Sequence, residues 1–352
     1  MDILIEQFSE RIRQARLTGE SLRLQGGGSK GFYGEKFVGS LLEVANFSGV
    51  IDYEPSELVL SARCGTPLVE IEKLLAEHGQ ILGFEPPHFG ETATLGGTVA
   101  CGFSGPRRAT AGSLRDHLLG VRIIDGQGQD LRFGGQVMKN VAGYDVSRLM
   151  VGALGTLGLL AELTLRVMPK PVHECTLSLE LSAKAAIEKM NHLAGMPIPL
   201  SATCYVENCL YLRLSGLQRE VDTHVFRLGG ETILDADQFW NSIREQEHRF
   251  FRDAPFLWRF SVPSMACLDS FDEPGLIEWG GALRWSVADI PACKVRMAAE
   301  RVGGHANLFR GKQPDVPLFH PQSSAIRAIQ TRLKDQFDPD RVLNRFRMYS
   351  YF

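Results

Sequence analysis

Three clusters of small residues carry most of the chain's potential chemistry. The first, Gln25-Gly26-Gly27-Gly28-Ser29-Lys30-Gly31, follows a short apolar run. Successive glycines have no Cβ, so their backbone N–H groups can turn toward one point and cradle an anion such as a diphosphate. The run fits neither GxxxxGK[ST] nor GxGxxG, and a flexible turn is the competing reading. The second cluster runs from Thr92 through Thr94, Leu95, Gly96 and Gly97 to Gly102 and Gly105. Its hydroxyls and small residues lead into a helix N-terminus, whose unpaired N–H groups favour negative charge. Two such cradles can close on the two phosphates of one dinucleotide. The third, Lys139-Asn140-Val141-Ala142-Gly143-Tyr144-Asp145, precedes glycines at 152, 155 and 158. These let a helix end, a turn and a strand pack against something flat.

The elements that must position these clusters follow from periodicity. Ile3, Leu4, Phe8, Ile12, Ala15 and Leu17 predict an opening amphipathic helix, and Leu22–Leu24 a strand entering the first glycine run. Strands are expected over 50–53, 58–62, 120–125, 131–133 and 159–167, with helices over 68–78 and 145–151. Asp125-Gly126-Gln127-Gly128 reads as a hairpin turn. Pro169-Lys170-Pro171 is the clearest boundary. Beyond it come a strand (175–181), a helix (183–193), two strands around 204–214 and a helix (218–228). A polar helical stretch (237–249), strands (257–262, 282–287), a helix (290–301), a strand (305–309) and a tail helix (322–337) follow. Alternation with antiparallel hairpins is an α+β signature.

Composition narrows the function. With 38 Lys+Arg against 41 Asp+Glu, the net charge of −3 argues against nucleic acid as main partner. A 44% hydrophobic share excludes wholesale disorder. The acidic N-terminus is no signal peptide, and the longest uncharged apolar stretch, 149–161, is too short to span a bilayer. Seven scattered cysteines without CxxC suit reduced thiols in a cytoplasmic chain, with no metal site.

The ordered phrases LQGGGSKGFYG, TATLGGTVACGFSGPRRATAGSLRDHLLGVRIIDGQG, KNVAGYDVSRLMVGALGTLGLLAELTLRVMP and FDPDRVLN together resemble the FAD-linked oxidases of the vanillyl-alcohol-oxidase (PCMH) type. KN-x-x-GYD with GTLG points to their 2-hydroxyacid-oxidising branch. The resemblance is densest over 20–170 and returns at 337–344. It implies an α+β fold: a two-part PCMH-type FAD-binding domain (1–170, rejoined by 321–352) and a smaller α/β cap domain (171–320). It also implies FAD, with Gly26, Gly27, Gly28, Ser29 and Lys30 as the first pyrophosphate loop. Thr92, Thr94, Leu95, Gly96 and Gly97 would hold the other side, and Gly102 and Gly105 would leave room for the ring. Arg115 and Asp116 match the stretch lining the ribityl and ring region, and Gly158 and Leu160 would contact the adenosine half. Relatives with covalent flavin carry His where this chain has Ser29, so FAD is expected to be non-covalent.

The implied function is a flavin-bearing subunit of a complex oxidising glycolate or another small 2-hydroxyacid. Its expected partners are a catalytic FAD-containing homologue and an iron–sulfur subunit, with membrane contact only through them. The alternative is a FAD-containing electron-relay or assembly subunit. The branch's EHGxG segment and histidine cluster are missing; His305, in Gly303-Gly304-His305-Ala306, is the nearest echo. A general base for a hydroxyacid suits His305 or His320. A substrate carboxylate suits Arg259, Arg284 or Arg310, each in aromatic or apolar company. Arg107 and Arg108 read as a flavin-stabilising pair or a solvated turn. The tail with Arg341, Arg345 and Arg347 beside Phe346, Tyr349, Tyr351 and Phe352 reads as a partner-docking end, with a frayed terminus as the competing reading.

Overall fold

The structure is a computed structural model that describes residues 2–135, 145–252, 254–268, 275–313 and 315–352. The chain divides into two compact units. One comprises Met1–Phe103, Ser113–Pro169 and Pro321–Phe352; the other comprises Ser104–Gly112 and Lys170–His320.

The first unit opens with α1 (Asp2–Thr18), whose Ile5, Phe8, Ile12 and Ala15 recur at helical spacing and are all buried. Next come β1 (Leu22–Gln25), β2 (Ser40–Glu43), β3 (Val50–Glu54), β4 (Val59–Arg63), α2 (Leu68–Glu77), β5 (Gln80–Ile81) and α3 (Leu95–Cys101). The short α4 (Arg108–Ala111) belongs to the second unit. The first unit resumes with α5 (Leu114–His117), β6 (Leu118–Ile124), β7 (Asp130–Gly134), α6 (Val146–Leu149), β8 (Leu159–Arg166) and β9 (Met168–Pro169).

β1 and β2 pair in parallel. An antiparallel sheet of order β3-β4-β8-β6-β7 backs them. The β6–β7 hairpin forms because Asp125 Oδ1 accepts from the N–H groups of Gln127 and Gln129, both at 2.8 Å. The core joins α1, α2 and α3 to this sheet through residues such as Ile12, Leu68, Val99 and Leu163. β2 carries no strand signal of its own; Ser-Leu-Leu-Glu is short and mostly exposed, and only its pairing with β1 makes it a strand.

The second unit runs β10 (His173–Glu180), α7 (Ala183–Ala194), β11 (Leu200–Val206), β12 (Cys209–Gly216), α8 (Gln218–Leu228), β13 (Glu231–Thr232), α9 (Ala236–Arg244) and α10 (Arg249–Arg252). It continues through β14 (Leu257–Ser261), β15 (Leu276–Glu278), β16 (Leu283–Ser286), α11 (Ala292–Arg301) and β17 (His305–Arg310). The strands form one sheet of order β13-β10-β12-β11-β15-β16-β14-β17. Every pairing in it is antiparallel. Hydrophobic cores sit on it under α7, under α8 and under α11. The helical stretch expected over 237–249 is two helices, interrupted where Gln246 takes a φ of 57°.

α12 (Ser324–Phe337) returns the chain to the first unit. At its end Lys334, fully buried, donates to Asp338 Oδ2 at 2.6 Å and to the carbonyls of Thr156 and Leu343. Asp338, equally buried, also accepts from the N–H groups of Val342 and Leu343. This buckle brings Leu343 beside Leu22, so the tail extends the β1–β2 pair.

Candidate functional site

The glycine run leaves β1 and passes against the Thr92–Thr94 loop. Thr92 donates its hydroxyl to Gly27 O at 2.6 Å, and a Cβ on Gly27 would overlap the Thr92 carbonyl oxygen. A Cβ on Gly26 would lie 2.5 Å from Thr94 Oγ1. The two loops therefore meet only because the first has no side chains there. Thr94 in turn caps α3 by accepting from Gly97 N–H at 3.3 Å.

A pocket of about 810 Å³, counting its open mouth, lies along this junction. Gly26, Gly27, Gly28, Ser29 and Lys30 line it, as do Thr94, Gly96 and Gly97 from the second cluster. From the third region come Gly158 and Leu160. Among the described residues, none accepts a hydrogen bond from the backbone N–H of Gly27, Gly28 or Ser29. Ser29 Oγ and Lys30 Nζ both donate to His88 O, at 2.9 and 3.1 Å, which fixes the loop on the Pro86–Phe89 segment.

Among the described residues, the lining contains Lys30 and Arg347 and no acidic side chain. Its apolar part includes Leu24, Val44, Leu154 and Leu159. Burial pushes the Cys64 thiol up to about 12 and the Cys101 thiol up to about 11, so both stay neutral in the pocket wall. Free N–H groups, two cations and an apolar wall are what an anionic dinucleotide requires; the residues fit FAD.

Several pocket residues had no local signature in the sequence. Asn344 bridges the site: its Oδ1 accepts from Leu24 N–H at 2.8 Å, and its Nδ2 donates to Leu154 O at 2.6 Å. Gly155, at φ 69°, accommodates that amide, since a Cβ would sit 2.8 Å from Nδ2. Asn344 is marked in the sequence only as the last letter of FDPDRVLN, Tyr33 only within LQGGGSKGFYG and Arg347 only within the basic tail, and Phe37 carries no signal.

Other expected cofactor residues lie elsewhere, each for a local reason. Leu95 is wholly buried in the first unit's core rather than lining this pocket. Thr92 supports Gly27 and is not part of the lining. Gly102 ends α3 in the left-handed region at φ 68°, packed on Gly152. Gly105 belongs to the second unit, where its carbonyl accepts from the Trp279 indole at 3.0 Å. Arg115 and Asp116 are exposed; Asp116 accepts from Ser113 N–H and Oγ at 2.8 Å, closing a capping box. Lys139, Asn140, Gly143 and Tyr144 lie outside the described residues.

The second unit gathers a different set. Register places Ser261 opposite His305 and Arg259 opposite Asn307, so these four share one face of β14 and β17. Trp285 lies opposite Arg259 on β16. The Arg259 guanidinium stands 5.3 Å from the Trp279 ring centre and 5.8 Å from that of Trp285. His320 is 6.2 Å from His305, ring to ring, and its backbone N–H donates to Asn307 Oδ1 at 2.7 Å. Lost hydration holds the His305 imidazole below the usual histidine range, and the Arg259 and His320 charges act in the same direction.

Arg284 pairs with Phe260 and so lies on the other face, whereas Arg310 pairs with Leu257 across a register shift. Arg284 is 1% exposed and donates to the carbonyls of Gly281, Ser264 and Ala266, which makes it a structural brace. Arg310 donates to Gln246 Oε1 at 2.8 Å. Arg107 is buried and pairs with Glu174 at 2.7 Å, and Arg108 stacks on Trp279 at 4.3 Å, so neither is a solvated turn. The aromatic tail folds back on its own chain. Arg327 lies over Tyr351 at 4.5 Å, Gln322 donates to Tyr349 Oη at 2.8 Å, and Phe352 is buried.

The FAD binding domain family matches residues 5–134. Glycolate oxidase subunit GlcE of Escherichia coli (strain K12) is 45% identical over 341 residues, 97% of this chain and 96% of that protein. D-lactate dehydrogenase of Anaerostipes hadrus is 31% identical over 134 residues, 38% of this chain and 28% of that protein. Glycolate oxidase subunit GlcD of Bacillus subtilis (strain 168) is 29% identical over 140 residues, 40% of this chain and 29% of that protein. A solved alkyldihydroxyacetonephosphate synthase superposes with a TM-score of 0.63 at 15% identity, covering 96% of this chain and 73% of that one, a likeness of fold.

Proposed function

This chain belongs to the glycolate oxidase subunit GlcE family, and we propose that it is the FAD-binding subunit of a complex that oxidises glycolate or a related 2-hydroxyacid. The observation that carries the reading is the pocket. Among the described residues, the N–H groups of Gly27, Gly28 and Ser29 have no acceptor and meet Lys30 and Arg347 with no acid in the lining. These N–H groups would hold the diphosphate, and Leu24, Val44, Leu159 and Leu160 would pack against the flat ring systems. Ser29, with no nucleophilic His in its place, leaves the flavin non-covalent. FAD, when bound, supplies hydride acceptance and onward electron transfer.

In the second unit we assign Arg259 to the substrate carboxylate, whose geometry its guanidinium fork matches. His305, whose lowered pKa favours the proton-accepting ring, takes the hydroxyl proton at a ring nitrogen. Electrons leave to partner chains, a FAD-containing homologue and an iron–sulfur subunit. That GlcE and GlcD are both glycolate oxidase subunits and both resemble this chain supports a heteromeric complex. We place the chain in the cytoplasm, with membrane contact through partners; no described helix is long and apolar enough to cross a bilayer.

One observation favours a second reading, an electron-relay subunit: His305 follows two glycines, with no acid before it. The experiment is anaerobic addition of glycolate or D-lactate to the purified yellow chain. Bleaching of the flavin band assigns oxidation to this chain. A band that persists assigns it the relay role, and a colourless chain that takes up no FAD overturns the flavin reading.

A further inference from the structure

The last residues of the chain line the pocket that the glycine clusters build. Arg347 is 4% exposed and donates to Gly31 O at 2.9 Å and to the carbonyls of Tyr33 and Glu35. Its guanidinium stands 3.7 Å from the Phe37 ring centre. Gly34, at φ 102°, makes room: a Cβ there would lie 2.8 Å from Arg347 Nε. Among the described residues, no carboxylate lies within ion-pair distance of this guanidinium. This buried cation is faced at close range by carbonyl dipoles and a ring, with the Glu35 carboxylate acting on it only from beyond ion-pair distance, and so is under-compensated. Burial accordingly pushes its pKa down to about 10. Arg347 and Lys30 both act on the Cys101 thiol, so two positive charges converge on one stretch of the pocket wall.

We propose that Arg347 is an anion-compensating group of the cofactor pocket, so that binding of the anionic dinucleotide and docking of the chain's last residues are one coupled event. The inference rests on the FAD reading above. The ligand supplies the close negative charge that no described carboxylate provides, and the guanidinium, pinned by Gly31, Tyr33 and Glu35, holds the 31–35 loop against the glycine nest. Asn344, three residues earlier, ties the same segment to β1 and to the Leu154 turn. Loosening either end therefore loosens the pocket.

The test uses the full chain stripped of flavin, with binding followed by quenching of flavin fluorescence. FAD is compared with riboflavin, which has no phosphates, for the wild type, Arg347→Met and Arg347→Lys; thermal melts of each flavin-free protein report folding. Arg347→Met is expected to weaken FAD binding about tenfold or more, as loss of a charge-assisted contact does. Riboflavin binding should weaken far less, and Arg347→Lys should recover part of the loss. Saturating FAD should also protect the wild-type C-terminus from carboxypeptidase, read as chain mass against time. That arm decides if Arg347→Met fails to fold. Unchanged FAD affinity in a folded Arg347→Met chain, equal losses for FAD and riboflavin, or a cleavage rate indifferent to FAD overturns this inference and leaves the FAD reading standing. A wild-type chain that binds no FAD overturns both.

Discussion

His305 and Arg259 owe their partnership to strand register, and that register has a pH consequence. Because the His305 pKa is depressed below the ordinary value near 6.5, its neutral, proton-accepting form survives to lower pH. The acid limb of kcat/KM for glycolate in the assembled complex is expected below that value, and His305→Gln should abolish the limb. A limb that His305→Gln leaves in place removes His305 from the reaction. The linkage has a definite sign. The native chain binds this proton less readily than the unfolded chain, so the residue's contribution to stability is complete above the unfolded value. It is lost as pH falls through the lower native one. Gly27 acts by what it lacks. In Gly27→Ala the new Cβ collides with the Thr92 carbonyl, a backbone atom, and the two loops must part. Overpacking of this kind costs about 1–3 kcal/mol, so retained FAD, read as the ratio of flavin to protein absorbance, should fall about tenfold.

Among the elements, the end of α12 decides whether the tail reaches the pocket. Lys334 and Asp338 form a fully buried pair one helical turn apart, and Asp338 simultaneously receives the Val342 and Leu343 N–H groups. Burial lowers the lysine pKa while Asp338 opposes that shift, so the ammonium depends on this one carboxylate. Lys334→Met leaves the carboxylate buried and unpaired. The expected loss is about 3–5 kcal/mol in denaturant unfolding of the full chain, the usual result of removing one partner of a buried pair. A shift below about 0.5 kcal/mol, typical of surface substitutions, would mean that the buckle does not hold the tail. In the second unit, Arg107–Glu174 fastens the Ser104–Gly112 segment, with Thr110 donating to Ser201 O at 2.9 Å. That ion pair explains why a stretch embedded in the glycine-rich half of the sequence belongs to the other unit.

For the molecule as a whole, cofactor binding should appear as stability. A ligand that binds only the native state at 100 times its dissociation constant adds about 2.7 kcal/mol. Titrating FAD into the flavin-free chain should therefore raise the melting temperature of the transition that includes the first unit by several degrees. Adenosine at the same concentration should do less, because it brings no diphosphate to the Gly27–Ser29 N–H groups. Equal shifts from both would move the binding energy away from the glycine nest.

Local chemistry was legible along the chain. Runs without Cβ atoms announce close backbone approach, apolar periods announce α1, β4, β8 and α7, and Pro169-Lys170-Pro171 announces a change of texture. These signals need only a few neighbouring residues, so the close backbone approach at 26–27 and the family likeness were both within reach. Which of many arginines and histidines meet was not. Arg259 joins His305 through the pairing of β14 with β17, whereas Arg284, equally flanked by apolar residues, turns into three backbone carbonyls. Arg347 and Asn344 reach a loop more than 300 residues earlier because a buried lysine–aspartate buckle redirects the tail. Such encounters depend on long-range packing, where burial and register select among side chains that are locally alike, and so tertiary structure alone decided them.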